Sequence, residues 1–441
     1  MKFDFAKLSA FFLKAFLFTL PLGLQILLYK SNFFSGQFNY FSSAFAYLSE
    51  LFLILAVIAQ GIKILISKDE QPKEKYEHGA AEYVWWTIFL LIIIANLVSC
   101  IFAADKSLAL LGTLKWLELL GLIWLLARGT LPRDKVLKWL FAGAFLQVMV
   151  GLGQYLKQGD LGLTFLGESK LGASYLNVAK VDLAGEKVLR SYGTLPHPNL
   201  FGAYLLFVLM VLFQSLNRKK AVKYFPLIIF FAAGILLSFS RTVWIVGFLF
   251  CMFMILEKAI KFSWKQLIVA FLAVFFLLVV FSLDSVILAR LMDLSKLAWQ
   301  ERIYFIEAAW NILKTQWWGV GAGNFVLEMG KFTLEYLDPW LYQPVHNFVL
   351  LAAAEGGIWL GALWVILFGW SFELCNLAMR RIIKSERFFW KAHVACLLCI
   401  ILLGMTDHYF YTIWPGQAIL GVYFGLMLFD FAERRKELEK V

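Results

Sequence analysis

The stretch WQERIYFIEAAWNILKTQWWGVGAGNF, residues 299–325, interrupts a chain that otherwise reads as bilayer. With the residues that follow it, up to 355, it forms a long segment polar enough to leave the hydrocarbon layer. It carries Glu301-Arg302, the glycine turn Gly319-Val320-Gly321-Ala322-Gly323-Asn324, and His346-Asn347 at the lip of the next apolar run. A loop of this length in a membrane protein requires a reason. A cation, a run of backbone amides able to nest an anion, and an imidazole near one membrane face point to chemistry on a charged, lipid-borne substrate.

The rest of the sequence sets the frame. Of 441 residues, 61% are hydrophobic and 16% charged, and the mean hydropathy is +0.74. Soluble domains carry nearer a quarter charged residues, so the composition is that of an integral membrane protein. The net charge of +11 does not indicate nucleic-acid binding. Most Lys and Arg fall in short loops that alternate along the chain, as the positive-inside rule requires.

Apolar segments of spanning length fall at 8–28, 44–66, 83–102, 107–127, 138–156, 196–215, 225–240, 242–257, 267–288, 346–370, 391–409 and 414–431. The expected fold is an all-α integral membrane protein of about twelve transmembrane helices. Splitting the seventh from the eighth at Arg241 keeps the charge pattern in phase. With Met1 in the cytoplasm, the loops at 68–75, 128–138, 218–223, 258–265 and 380–391 and the tail at 434–440 are all basic and cytoplasmic, and so are both termini. The basic, apolar start is read as a first span, because the run is long and no small-residue cleavage site follows.

Three regions are expected: membrane helices and a first external loop over 1–189, a second membrane region over 190–432 that includes the external segment 289–345, and a basic tail over 433–441. The loop at 157–198 is expected to pack loosely over the outer face. In the later one, Ile303, Ile306, Trp310 and Leu313 share a helical face, which predicts an amphipathic helix in the interface with Arg302 at headgroup depth. Of the five cysteines, Cys396 and Cys399 have redox or metal spacing. They lie in an apolar run without polar surroundings and read as an inert buried pair.

Several residues can carry chemistry. Arg241 lies between two apolar segments, where an arginine either snorkels to the interface or holds an anion. A guanidinium fork suits phosphate. Arg302, beside Glu301, is either an ion-pair partner or a second diphosphate clamp. The turn containing Gly321, Gly323 and Asn324 either returns the chain sharply to the membrane or nests an anion; no strand–helix unit accompanies it, so a dinucleotide fold is excluded.

His346 is a structural histidine or a general base able to take a proton from an attacking hydroxyl. Glu355 would lie about two and a half turns deeper along one helix, out of its reach. In His197-Pro198-Asn199, Asn199 is expected to cap the helix that follows. Asp407-His408 and Gln417 form a polar cluster at an external tip, structural or substrate-binding. No carboxylate cluster of magnesium type is evident on the external face, so no metal or other cofactor is expected.

In these residues the sequence resembles the O-antigen ligase/polymerase superfamily of bacterial membrane glycan transferases. The resemblance rests on an ordered set over residues 190–425: Gly193-Thr194 with His197-Pro198-Asn199, Ser240-Arg241-Thr242 with Trp244, Arg302 leading through Trp310 to Gly319–Phe325, and His346-Asn347 with Glu355-Gly356-Gly357. It implies a GT-C-like helical bundle in the inner membrane, with a long external loop over the cleft. It implies a polyprenyl-diphosphate-linked glycan as donor, Arg241 and Arg302 on the diphosphate, and His346 activating an acceptor hydroxyl. The transfer would invert configuration without a metal.

The acceptor would be a lipid A-core sugar for a ligase, another lipid-linked repeat for a polymerase, or a protein for an oligosaccharyltransferase. The competing class, a lipid or solute transporter, calls for inverted repeats and paired broken helices, and the sequence offers neither.

Overall fold

The computed structural model describes residues 4–32, 38–66, 79–176, 178–183, 186–215, 218–257, 296–332, 341–380 and 387–439. Apolar runs with few helix breakers become helices, and Gly, Pro or capping residues end them. The helices are α1 (Phe5–Thr19), α2 (Leu48–Ile66), α3 (Ala80–Ser99), α4 (Lys106–Ala127), α5 (Arg133–Lys157), α6 (Pro198–Gln214), α7 (Arg218–Leu237) and α8 (Arg241–Leu256). After them come α9 (Lys296–Thr315), α10 (Phe348–Gly356), α11 (Ile358–Arg380), α12 (Arg387–Thr406) and α13 (Trp414–Glu439).

Among the described residues, seven helices are long and apolar enough to cross a membrane, namely α2 to α5 and α11 to α13. α6 and parts of α7 and α8 are shorter apolar helices. The expected ninth span at 267–288 and the basic loop at 68–75 lie outside the described residues.

α13 is the centre of the bundle, with 94% of its apolar window buried. It packs closely on α4 because Gly421 and Gly425 present no side chain where Leu119 and Leu126 press in. Small residues of this kind let helix backbones approach. At the end of the bundle remote from Trp414, Arg133 ion-pairs with Asp430 and donates to Gln214 Oε1 at 2.6 Å, while Nε2 of His393 lies 3.1 Å from Asp430. Cys375, Cys396 and Cys399 are buried free thiols.

Several expectations need correction. The described residues are mostly helical and fit an all-α membrane protein, but two short hairpins accompany the helices. β1 (Gln25–Lys30) and β2 (Ser43–Tyr47) form an antiparallel hairpin, so neither 8–28 nor 44–66 is helical throughout. α1 ends at Thr19, and Pro21 lies just beyond. The loop at 157–198 is not loose either. It forms a second hairpin, β3 (Lys180–Leu183) with β4 (Glu186–Leu189). Buried Glu168 anchors its start, accepting from the amides of Leu161 at 2.8 Å and Leu163 at 2.6 Å and from Gln154 Nε2 at 2.8 Å.

The split at Arg241 holds. α7 and α8 are separated by Ser238-Phe239-Ser240, and Phe239 sits at φ 48°, a region costly for a side chain of its size.

The segment 346–370 is two helices. Gly357, at φ 83°, breaks it, and α10 folds back against α11, so that Gly361 meets Ala353 and Val349 and the Phe348 ring lies 4.8 Å from that of Trp364. Glu355 is therefore at the turn of a helical hairpin, not further along a single span.

Candidate active site

The loop between β1 and β2, the residues flanking the β3–β4 hairpin, the entry to α6, the loop before α10 and the link between α12 and α13 line a cavity of about 490 Å³. His197, His346, Asp407 and His408 line it, together with Phe41 and Tyr192. Each arrives on a terminus fixed by its own contacts. His197 is the N-cap of α6, its Nδ1 accepting from the amide of Asn199 at 3.2 Å. This corrects the expectation that Asn199 is the cap. Asn347 caps α10 by accepting from Leu350 N at 2.9 Å, and so sets the position of its neighbour His346. The His408 ring is held by Phe41, edge-on at 5.1 Å, and by Thr412 Oγ1, 2.8 Å from Nδ1.

Asp407 is the hub. Its Oδ1 lies 3.6 Å from Nδ1 of His346 and accepts from the amide of His408 at 2.8 Å. Its Oδ2 accepts from Asn199 Nδ2 at 2.9 Å. Asn199 in turn accepts from Arg190 at 2.6 Å, and Arg190 Nε donates to the carbonyl of Ser238 at 2.8 Å. The same turn leads directly into Arg241 at the start of α8. Burial alone would raise the Asp407 carboxyl, but the surrounding imidazoles, His346 first, hold it below the usual carboxylate range.

Burial pushes His197 down to about 4, with the Arg190 charge acting in the same direction. His408 is pushed down to about 3, again mainly by burial. Both rings are thus neutral near pH 7 and sit beside an ionised carboxylate.

Arg302 lies on α9 one turn before Phe305, on the same helical side. The Phe305 ring is 6.5 Å from that of His346, and the charge of Arg302 is felt at His408. α9 has two apolar faces. Phe305, Ala309 and Ile312 are buried, whereas Ile303, Ile306 and Trp310 are exposed. An outward apolar stripe suits a helix lying at a bilayer surface.

The glycine turn is placed elsewhere. Glu355 accepts from Gly323 N at 2.8 Å and from Phe325 N at 3.3 Å, and its backbone carbonyl accepts from Gly321 N at 2.7 Å. The group held by this turn is the chain's own Glu355 carboxyl. Asn324 is buried and clamps Asp105, accepting from its amide at 2.7 Å and donating to its carbonyl at 3.2 Å. Gln417 donates to the carbonyl of Tyr411 at 2.6 Å and, with Gly323, lines a separate cavity of about 90 Å³.

The structure therefore gathers His197, Asn199, His346, Asp407 and His408 around one pocket, with Arg302 nearby. Gly321, Gly323, Asn324 and Gln417 are taken up by contacts within the protein. The sequence expectation missed Arg190. Its one signal is position, as a basic residue just ahead of the Gly193–Asn199 motif. His346, Asp407 and His408 each bring a possible ligand atom within 4.8 Å of the others.

Fold and pocket together define a multi-pass membrane protein with a titratable site at one end of its helices. Residues 226–365 match the family described as O-antigen ligase, which bears out the resemblance to the O-antigen ligase/polymerase superfamily. The matched segment holds Arg241, Arg302, the glycine turn and His346; Arg190, His197, Asn199, Asp407 and His408 lie outside it. No curated protein matches the chain.

Proposed function

We propose that this protein is a glycosyltransferase of the bacterial inner membrane, with about twelve crossings and both termini cytoplasmic. It moves a glycan from a polyprenyl-diphosphate carrier to an acceptor hydroxyl at the external face, in the manner of an O-antigen ligase. The observation that carries this reading is the alignment of Asp407 on His346 in a cavity that also feels the Arg302 charge.

With Asp407 facing Nδ1 at 3.6 Å, the imidazole presents Nε2 to the acceptor and takes its proton. The acceptor oxygen bonds to the anomeric carbon as the bond to the diphosphate oxygen breaks, and a single displacement inverts configuration. Arg241 and Arg302 hold the departing diphosphate, whose charge they stabilise without a metal. The exposed apolar face of α9 keeps the lipid-linked donor at the depth of the site.

The test uses the full chain in nanodiscs with a lipid-linked glycan and a hydroxyl acceptor. The wild type is expected to transfer. His346→Ala is expected to bind donor without turnover, and Arg302→Ala to bind donor more weakly. Transfer that survives both changes would overturn the mechanism. Deletion in the host separates the acceptor classes: long glycans stranded on the carrier indicate a ligase, single repeat units a polymerase.

A further inference from the structure

One possible ligand atom from each of His346, Asp407 and His408 lies within 4.8 Å of the other two. Nδ1 of His346 is shielded from solvent and has no hydrogen-bond partner among the described residues. Its distance of 3.6 Å from Asp407 Oδ1 is longer than a hydrogen bond. Two ligands on a tetrahedral zinc ion, with bonds of ~2.0 Å, stand about 3.3 Å apart. The observed separation is thus closer to that of a ligand pair than to the 2.7–3.2 Å or so of a hydrogen bond.

The outer contacts agree. Thr412 Oγ1 engages Nδ1 of His408, which leaves Nε2 to ligate, and Asn199 fixes the far oxygen of Asp407. Partners of this kind orient metal ligands. The adjoining cavity leaves room for a water as fourth ligand.

We propose that His346, Asp407 and His408 bind a divalent transition-metal ion of the zinc type, and that its binding arrests the transferase. Two imidazoles and one carboxylate favour zinc or cobalt over magnesium or calcium, which prefer all-oxygen sites. The ion occupies the nitrogen and the oxygen that orient His346 as a base, so metal and catalysis exclude each other. The arrest rests on the base assigned to His346; the binding does not.

The test is a titration of chelator-stripped full-length protein in nanodiscs with Co²⁺, read by its visible bands, with Zn²⁺ as competitor and glycan transfer measured in parallel. One saturable equivalent is expected. Asp407→Asn and His408→Gln should weaken binding at least tenfold. Thr412→Val, which keeps the side-chain shape, should weaken it by about 10–100-fold by releasing the His408 ring. Transfer should fall with occupancy and return on chelation. Absence of saturable binding in the wild type, or binding undiminished in all three variants, would overturn the site. Stoichiometric Zn²⁺ with unchanged transfer would overturn the arrest and with it the base assigned to His346.

Discussion

Asn199 donates to Asp407 across 2.9 Å, and through that bond the entry of α6 steers the carboxylate that faces His346. Arg190 holds the other end of Asn199. Asn199→Ala is expected to lower kcat by about tenfold, the effect of a lost orienting contact, with the KM for donor little changed. Steady-state transfer kinetics decide it. A rise in KM alone would mean that Asn199 binds substrate instead.

His346→Ala should reduce kcat by ~10²–10⁴, the usual worth of a positioned general base. Asp407→Asn should cause a smaller loss, because it leaves the imidazole in place and removes only its orientation. If Asp407→Asn exceeded His346→Ala, Asp407 would have to act on the substrate directly. The comparison requires both variants to run as monodisperse proteins of wild-type melting temperature.

Acid should loosen the fold through His197. Its folded pKa, about 4, is below the ordinary 6.5, so between these values the unfolded chain binds more protons. Stability is then lost as pH falls from about 6.5 to about 4, and no further loss from this group follows below that. Asp407 acts in a lower window, since its depressed carboxyl gives stability lost only in stronger acid. His197→Asn keeps an N-cap side chain and should reduce, without abolishing, the slope of melting temperature against pH between 6.5 and 4, because His408, pushed down to about 3, titrates over the same range. An unchanged slope would exclude His197 as its source.

Gly319→Ala should cost about 3 kcal/mol or more. Gly319 is at φ 86°, and an added Cβ would come within 2.3 Å of the Glu355 carbonyl and the Gly357 amide. Gly369→Ala is the matched control, because it lies in α11 with nothing within 4 Å. It should be neutral or slightly stabilising. Thermal unfolding in detergent separates the two.

The apolar runs were legible because bilayer length imposes about twenty residues per crossing. Arg241 announced the break between α7 and α8, since a charge there interrupts an otherwise continuous run. The Gly356-Gly357 break was visible as composition, but a helix folding back looks the same as one continuing. Both hairpins were hidden by mixed apolar and polar residues on short strands. Of the site, His346 stood out by type and position. Its link to Asp407 was not legible, because the two are far apart in sequence and meet only once the chain has folded back on itself. The role of Glu355 was obscured for the same reason.

The turned-back helix α10 has a mechanical consequence. One end is fastened to the glycine turn through Glu355, the other emerges beside His346, and α9 leans on it where Phe305 approaches that imidazole. A helix whose outer apolar face suits a lipid surface is thus linked by contacts to the imidazole proposed as the base. Hydrophobic mismatch, by tilting surface and spanning helices, should register directly at the reaction centre. Turnover should pass through an optimum as acyl-chain length is varied in reconstituted bilayers, and a flat profile would show that link to be slack.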